Sequence, residues 1–142
     1  MNNLFNGRSL EALNSLEPAC CCKPSTSLGE AISTLKARKI GSIVISSDDA
    51  RALGIFTERD VLMKIVGNPE VSLDEPVENY MTKSPKCVKL NDAIEKALVL
   101  MRIGRFRHLI VVDDGEKIQS VVSIKDFLDF FLNDVAENAE PT

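Results

Sequence analysis

Tryptophan is missing from this chain, histidine and tyrosine occur once each, and aromatics make up only 5% of the residues. A core must therefore be assembled mainly from aliphatic side chains. A single histidine leaves little from which to build a His-based triad or a multi-His metal centre. The sequence also contains no Gly-x-x-x-x-Gly-Lys loop, no Gly-x-Gly-x-x-Gly and no Gly-x-Ser-x-Gly elbow. Neither catalysis nor a resident cofactor is expected. Apolar runs such as Leu109–Val112 fall far short of the roughly 20 residues that a spanning helix needs, so no membrane partner is expected. The N-terminal stretch MNNLFNGRSLEALNSL has neither the basic start nor the apolar stretch of a secretory signal. A net charge of -4 provides no general footprint for nucleic acid, although it leaves room for a local basic cleft.

Cysteine usage points the same way. Three of the four cysteines are adjacent, Cys20, Cys21 and Cys22, with Cys87 far off. That is a poor disulfide framework, and a reducing cytoplasm is the simplest location. Zinc sites use spaced pairs and adjacent cysteines close only a strained disulfide, so no metal is expected. Small apolar filler in a first strand is the preferred role; redox sensing is the minor alternative.

What the chain does have is a repeat. With 142 residues, 44% of them apolar and 27% charged, it suits one compact domain or two small units sharing a core. Shifted by about 66 residues, the halves superpose without a gap. Leu28, Ala31, Ile32 and Leu35 meet Ile94, Ala97, Leu98 and Met101, both sets at the spacing of one helical face. Ile43–Ile45 meets Leu109–Val111, short β-branched runs that read as buried strands. Leu53–Phe56 meets Gln119–Val122. Val61, Leu62, Ile65 and Val66 meet Phe127, Leu128, Phe131 and Leu132, again at helical spacing. Each unit reads β-α-β-β-α, an α/β (α+β) pattern, with turns at Ser47-Asp48-Asp49 and Asp113-Asp114-Gly115. One such unit is too small to bury its apolar faces well, so two are expected to pack through their small sheets with pseudo-twofold symmetry. The expected organisation is an N-terminal segment 1–16, a first repeat 17–67, a linker 68–77, a second repeat 78–134 and a C-terminal tail 135–142. Leu10, Leu13 and Leu16 suggest a short amphipathic helix outside the repeat, and Val77–Met81 another. Cys21 falls on Cys87 and Cys22 on Val88, which places the cysteine run in a first strand.

The sharpest repeated feature lies where a third strand enters the last helix: Gly54-Ile55-Phe56-Thr57-Glu58-Arg59-Asp60 and Ser120-Val121-Val122-Ser123-Ile124-Lys125-Asp126. Hydroxyl-x-x-Asp suits a capping box, in which the hydroxyl accepts from N3 and the carboxylate reaches back. The same geometry offers a carboxylate beside a helix N-terminus to the vicinal hydroxyls of a ribose. Spacing alone does not separate these roles.

The ordered set of motifs resembles a tandem CBS (cystathionine-β-synthase) domain pair, from about Pro18 to Leu132. Gly54–Asp60 matches the family's small-apolar-apolar-Thr/Ser-x-x-Asp motif, and Ser120–Asp126 matches it except that Ser120 replaces the usual Gly. Arg105–Asp113 resembles the second hallmark, a strand preceded by basic residues and ending in Asp, with Ile110 where many members have Pro. Met81-Thr82, Pro85 and Val88 resemble the lead into a second repeat. The resemblance implies a stand-alone regulatory module that binds AMP, ADP or ATP in one of two clefts between the units and modulates a partner protein. Thr57, Asp60, Ser123 and Asp126 would hold the ribose. Arg107 and His108, with Arg59 and Lys125, would contact phosphate. Thr82, Pro85, Cys87 and Ile110 are weaker candidates for the adenine. Gly41 and Ser42, the first-repeat counterparts of Arg107 and His108, carry no charge, so two unequal sites are expected. Cations near the end of a helix are also commonly just solvated. The resemblance further implies a homodimer, for which Leu62, Ile65, Phe127 and Phe131 would supply exposed apolar surface. The alternatives are a constitutive dimerisation scaffold without nucleotide, and a sensor of NAD(H) or S-adenosylmethionine.

Overall fold

A computed structural model describes residues 7–138. The first six residues, and the last four of the expected tail, lie outside the described residues. The chain is mixed α/β, with two small sheets. β1 (Cys21–Cys22), β2 (Ser42–Ser46), β3 (Ala52–Thr57) and β4 (Thr82–Lys83) form one sheet in that order. β5 (Cys87–Lys89), β6 (His108–Val112) and β7 (Ile118–Ser123) form the other. The helices are α1 (Leu28–Arg38), α2 (Glu58–Asp60), α3 (Ile94–Gly104) and α4 (Ile124–Asn138). Among the described residues, no helix is long and apolar enough to cross a membrane.

The repeat is visible in the strand register. β1 runs parallel to β2 with Cys21 opposite Val44, and β5 runs parallel to β6 with Cys87 opposite Ile110, a shift of 66 residues. Backbone conformation repeats at the same interval. Lys39 and Arg105, which end α1 and α3, both turn left-handed with φ of 52° and 57°, and the hairpin residues Ala50 and Glu116 do so at 64° and 62°. Such a conformation costs a non-glycine residue about 1–2 kcal/mol. Its recurrence at matched positions in unlike residues shows that the helix ends and hairpins impose it.

Two compact units result. One contains residues 19–85 with 115–118; the other contains residues 86–114 and 119 onward, together with the N-terminal segment through Pro18. That segment does not form the expected amphipathic helix outside the repeat. It makes a single 3₁₀ turn, Leu10–Ala12, and buries Leu10 and Leu13 in the second repeat's core beside Ile94, Met101, Val111 and Phe127. Val77–Met81 is likewise shortened to a 3₁₀ turn, Val77–Asn79. Val77 is buried in the first repeat's core with Leu28, Leu35, Ile43, Ile45 and Phe56.

These segments also complete the helix starts. Leu28 N donates to Glu75 O at 2.8 Å, and Ile94 N donates to Arg8 O at 3.0 Å. A first-turn N–H has no acceptor within its own helix, so a carbonyl from a segment outside the helix fills that place in both repeats: the linker after α1 for Leu28, and the N-terminal segment for Ile94. Ser27 adds a side-chain cap to α1, accepting from Glu30 N. α3 begins after Ala93, which has no such group.

The last helices differ more than their sequences suggest. α4 is regular and runs on through Val135 to Asn138. α2 is one short turn that widens into a π-helical turn over Val61–Ile65, so the expected helical face of the first repeat is not continuous. Leu62, Met63 and Val66 are exposed there. Two residues expected on an exposed interface are not so placed: Phe127, one turn into α4, is 4% exposed and part of the second repeat's core, and Ile65 is half-buried against the first repeat's core.

Candidate functional site

Each hydroxyl-x-x-Asp corner forms where a strand hands over to a helix. In the first repeat, Thr57 ends β3 with extended backbone, and its Oγ1 accepts from Asp60 N at 3.2 Å. Asp60 Oδ2 reaches back to accept from Thr57 N at 2.9 Å and from Thr57 Oγ1 at 3.2 Å. This is a full capping box, and Asp60 is buried in it. The remaining oxygen, Oδ1, faces Lys64 Nζ at 3.0 Å. The same ammonium donates to Tyr80 O at 2.8 Å.

In the second repeat, Asp126 Oδ2 accepts from Ser123 N at 2.7 Å and from Ser123 Oγ at 3.0 Å. Its other oxygen has a different partner: Ser15 Oγ, from the N-terminal segment, donates to Asp126 Oδ1 at 2.6 Å. Asp126 and Ser15 line a polar hollow of about 200 Å³ between α4 and that segment, together with Arg8, Asn14, Asp129 and Asn133.

Both corners are closed by the backbone just before the central strand. Glu58 N donates to Gly41 O at 3.0 Å, and Ile124 N donates to Arg107 O at 3.1 Å. Position 107 therefore adjoins the start of α4, and its exposed side chain departs from a residue fixed beside Ser123 and Asp126. Gly41 holds the matched place beside Thr57 and Asp60 without a side chain. His108 opens β6 and is half-buried. Arg59 and Lys125 lie in the first turns of α2 and α4 and are exposed.

The four residues named for the adenine are divided between the units. Cys87 and Ile110 are register partners across β5 and β6, with Cys87 exposed and Ile110 fully buried. Thr82 belongs to β4 in the first repeat's sheet, opposite Ile55, and Pro85 follows in the same unit.

The Gly-to-Ser difference between the motifs has a local explanation. A Cβ on Gly54 would run into Met81 Sδ and come within 2.9 Å of Thr82 O. At the matched position Ser120 Oγ donates to Glu17 O at 2.6 Å, and Pro18 forms a bridge to Ser120. Both repeats bring a segment from outside their own strand-helix core against this point of the third strand: Met81–Thr82, after it, in the first, and Glu17–Pro18, before it, in the second. The first needs the space, and the second uses a hydroxyl to hold the segment.

Ser15 and Lys64 were not identified from the sequence. Lys64 stands four residues after Asp60, the spacing at which helix side chains meet, and that spacing could have flagged it. Ser15 lies 111 residues from Asp126 and carries no such signal. Among the cysteines, Cys20 and Cys22 pack against the first repeat's core while Cys21 is exposed. Partial desolvation by the surrounding chain first, and then the neighbouring thiols, push the Cys21 thiol above its ordinary value; desolvation does the same for the half-buried Cys22. Arg38 Nη1 donates to Cys20 Sγ at 2.9 Å. Among the described residues, no group of three His, Cys, Asp or Glu side chains is placed to hold a metal ion.

Comparison with known proteins agrees with the two-unit fold. The CBS domain model matches twice, over residues 15–67 and 77–133. The chain belongs to the CBS domain family and carries two tandem copies of the domain. It is 38% identical over 104 residues to an uncharacterized 17.7 kDa protein of Acidianus ambivalens, covering 73% of this chain and 62% of that protein. The solved structure of a CBS-domain containing protein from Agrobacterium tumefaciens is 33% identical, with a TM-score of 0.75 over 85% of this chain and 96% of that one. A CBS domain protein from Pyrobaculum aerophilum, complexed with AMP, is 25% identical, with a TM-score of 0.76 over 92% of this chain and 98% of that one.

Proposed function

We propose that this protein is a regulatory sensor of adenosine nucleotides that binds AMP, ADP or ATP and modulates a partner protein. The observation that carries this reading is the repeated corner, in which a carboxylate is held by a neighbouring hydroxyl at the start of a helix. Such a carboxylate accepts hydrogen bonds from a ribose diol, and helix N-termini favour the anion that follows. The AMP complex of the Pyrobaculum relative supports the ligand class.

Asp60 with Thr57, and Asp126 with Ser123, are the proposed ribose contacts. Arg107 and His108 take the phosphates, with Arg59 and Lys125 as further cations; a guanidinium binds phosphate through two parallel donors. Thr82, Pro85, Cys87 and Ile110 are the weaker adenine contacts. The second corner is favoured, because Arg107 adjoins it while Gly41 adjoins the first. The protein acts in the cytoplasm as a homodimer and catalyses no reaction itself. Dimerisation draws on Leu62 and Phe131, exposed on the last helical segments.

A thermal-shift and calorimetry panel of AMP, ADP, ATP, NAD(H) and S-adenosylmethionine tests this. A nucleotide at about a hundredfold over its Kd adds roughly 2.7 kcal/mol to stability. If none of these compounds acts on the folded protein, the constitutive scaffold replaces the sensor. If only NAD(H) or S-adenosylmethionine acts, the ligand class changes and the corner's role stands.

A further inference from the structure

Ser15 lies outside the repeated motifs, yet it donates the 2.6 Å bond to Asp126 Oδ1. An ionised carboxylate offers about four acceptor sites. Ser123 takes two of those on Asp126 through its N–H and Oγ, and Ser15 takes a third. About one is left, and a vicinal diol asks for two. We infer that Ser15 is a latch on the second corner, an affinity- and specificity-setting residue that a ribose must displace before both of its hydroxyls reach Asp126. The inference rests on the ribose reading of Asp126.

The latch has a built hinge. Upstream, the segment is pinned by buried Leu10 and Leu13 and by Leu10 N donating to Asp92 O at 3.0 Å. Downstream, it is pinned where Glu17 O accepts from Ser120 Oγ at 2.6 Å. Leu16 also packs, half-buried, against the second repeat's core, so only Asn14 and Ser15, both exposed, span the gap. Ser15 can therefore leave Asp126 without either anchor moving. The first corner has no counterpart: there the free oxygen is held by Lys64, fixed in the same helical segment as Asp60. A neutral hydroxyl on a hinge is displaced more readily than an ammonium one turn away.

The test is calorimetry of AMP and 2′-deoxy-AMP on the full chain, using wild type, Ser15→Ala, Ser15→Thr and Asp126→Asn. Ser15→Ala is expected to tighten AMP by roughly two- to tenfold, the worth of one ordinary hydrogen bond. It should tighten 2′-deoxy-AMP less, since that ligand presents a single hydroxyl to Asp126. Ser15→Thr keeps the donor and should behave as wild type. If Asp126→Asn weakens AMP while Ser15→Ala leaves it unchanged or weaker, the latch is overturned and the ribose reading stands. If Asp126→Asn leaves AMP binding intact, both fall.

Discussion

Lys64 Nζ lies 3.0 Å from Asp60 Oδ1, whereas the residue matched to Lys64 behind Asp126 is Phe130, with the Arg8 guanidinium 5.7 Å from its ring centroid. One repeat neutralises its corner carboxylate from within the helical segment. The other gives its carboxylate no charge partner there, only a hydrogen bond from a hydroxyl 111 residues away in sequence. A buried carboxylate that loses a charged partner keeps its desolvation cost, and hydrogen bonds to charged groups contribute about 1.5–3 kcal/mol. Lys64→Met is therefore expected to lower stability by about 1–3 kcal/mol in urea titration. A loss below about 0.5 kcal/mol would mean that solvent already screens the pair, as at exposed sites.

Gly54 and Ser120 hold the same place in the two motifs, and the difference should be visible in mutants. Gly54→Ala puts a methyl group against Met81 and the fixed carbonyl of Thr82. Overpacking of this kind costs about 1–3 kcal/mol. Ser120→Ala adds no bulk and loses one hydrogen bond to Glu17 O, about 0.5–1.5 kcal/mol. Chemical denaturation of both variants should rank Gly54→Ala as the more damaging. The reverse order would show that Met81 moves aside at little cost.

Much of this was legible in the sequence because it repeats locally. The apolar spacing of Leu28–Leu35 and Ile94–Met101, the central strands and the hydroxyl-x-x-Asp corners all depend on residues close together in the chain. Most of what escaped was non-local. Leu10 and Leu13 read as an amphipathic helix, since their spacing fits one, yet their burial comes from packing against Ile94 and Met101 far along the chain. Val61–Ile65 has a helical pattern, but its backbone widens into a π turn as the chain leaves the capping box at Thr57–Asp60. Ser15 escaped for the same reason as Leu10: nothing near it in sequence names Asp126 as its partner.

Asp92 is expected to contribute to the fold's acid response. Its Oδ2 accepts from Lys89 N at 2.8 Å, and its Oδ1 faces Lys96 Nζ at 3.1 Å. The backbone hydrogen bond, more than the Lys96 and Lys89 charges, holds its carboxyl below the ordinary value. A group with a depressed folded pKa contributes stability above its unfolded pKa, about 3.9 for Asp. That contribution is lost as pH falls through the lower folded value. Asp92→Asn keeps an acceptor for Lys89 N but cannot titrate. Its stability should therefore fall less steeply than that of wild type below about pH 4, as followed by urea titrations at stepped pH. Parallel curves would assign the acid response to other carboxylates, such as Glu75, which the Tyr80 hydroxyl holds low.

Phe127 and Phe131 stand one turn apart on α4 with opposite surroundings, 4% and 37% exposed. Phe127 packs with Leu109, Val111 and Val122 in the second repeat's core, and truncating a buried Phe costs about 3–5 kcal/mol. Phe127→Ala should therefore unfold at markedly lower denaturant at every protein concentration. Phe131 belongs with Leu128, Leu132 and Val135, which are exposed on the same helix, and an exposed apolar set of this kind is suited to association. Phe131→Asp should leave the core intact and act only where two copies meet. In sedimentation equilibrium it should shift the proposed dimer to monomer, and its unfolding midpoint should lose the concentration dependence that such a dimer would impose. A Phe131→Asp variant that remains dimeric would remove α4 from the interface and leave Leu62 and its neighbours Met63 and Val66 as the surface to test.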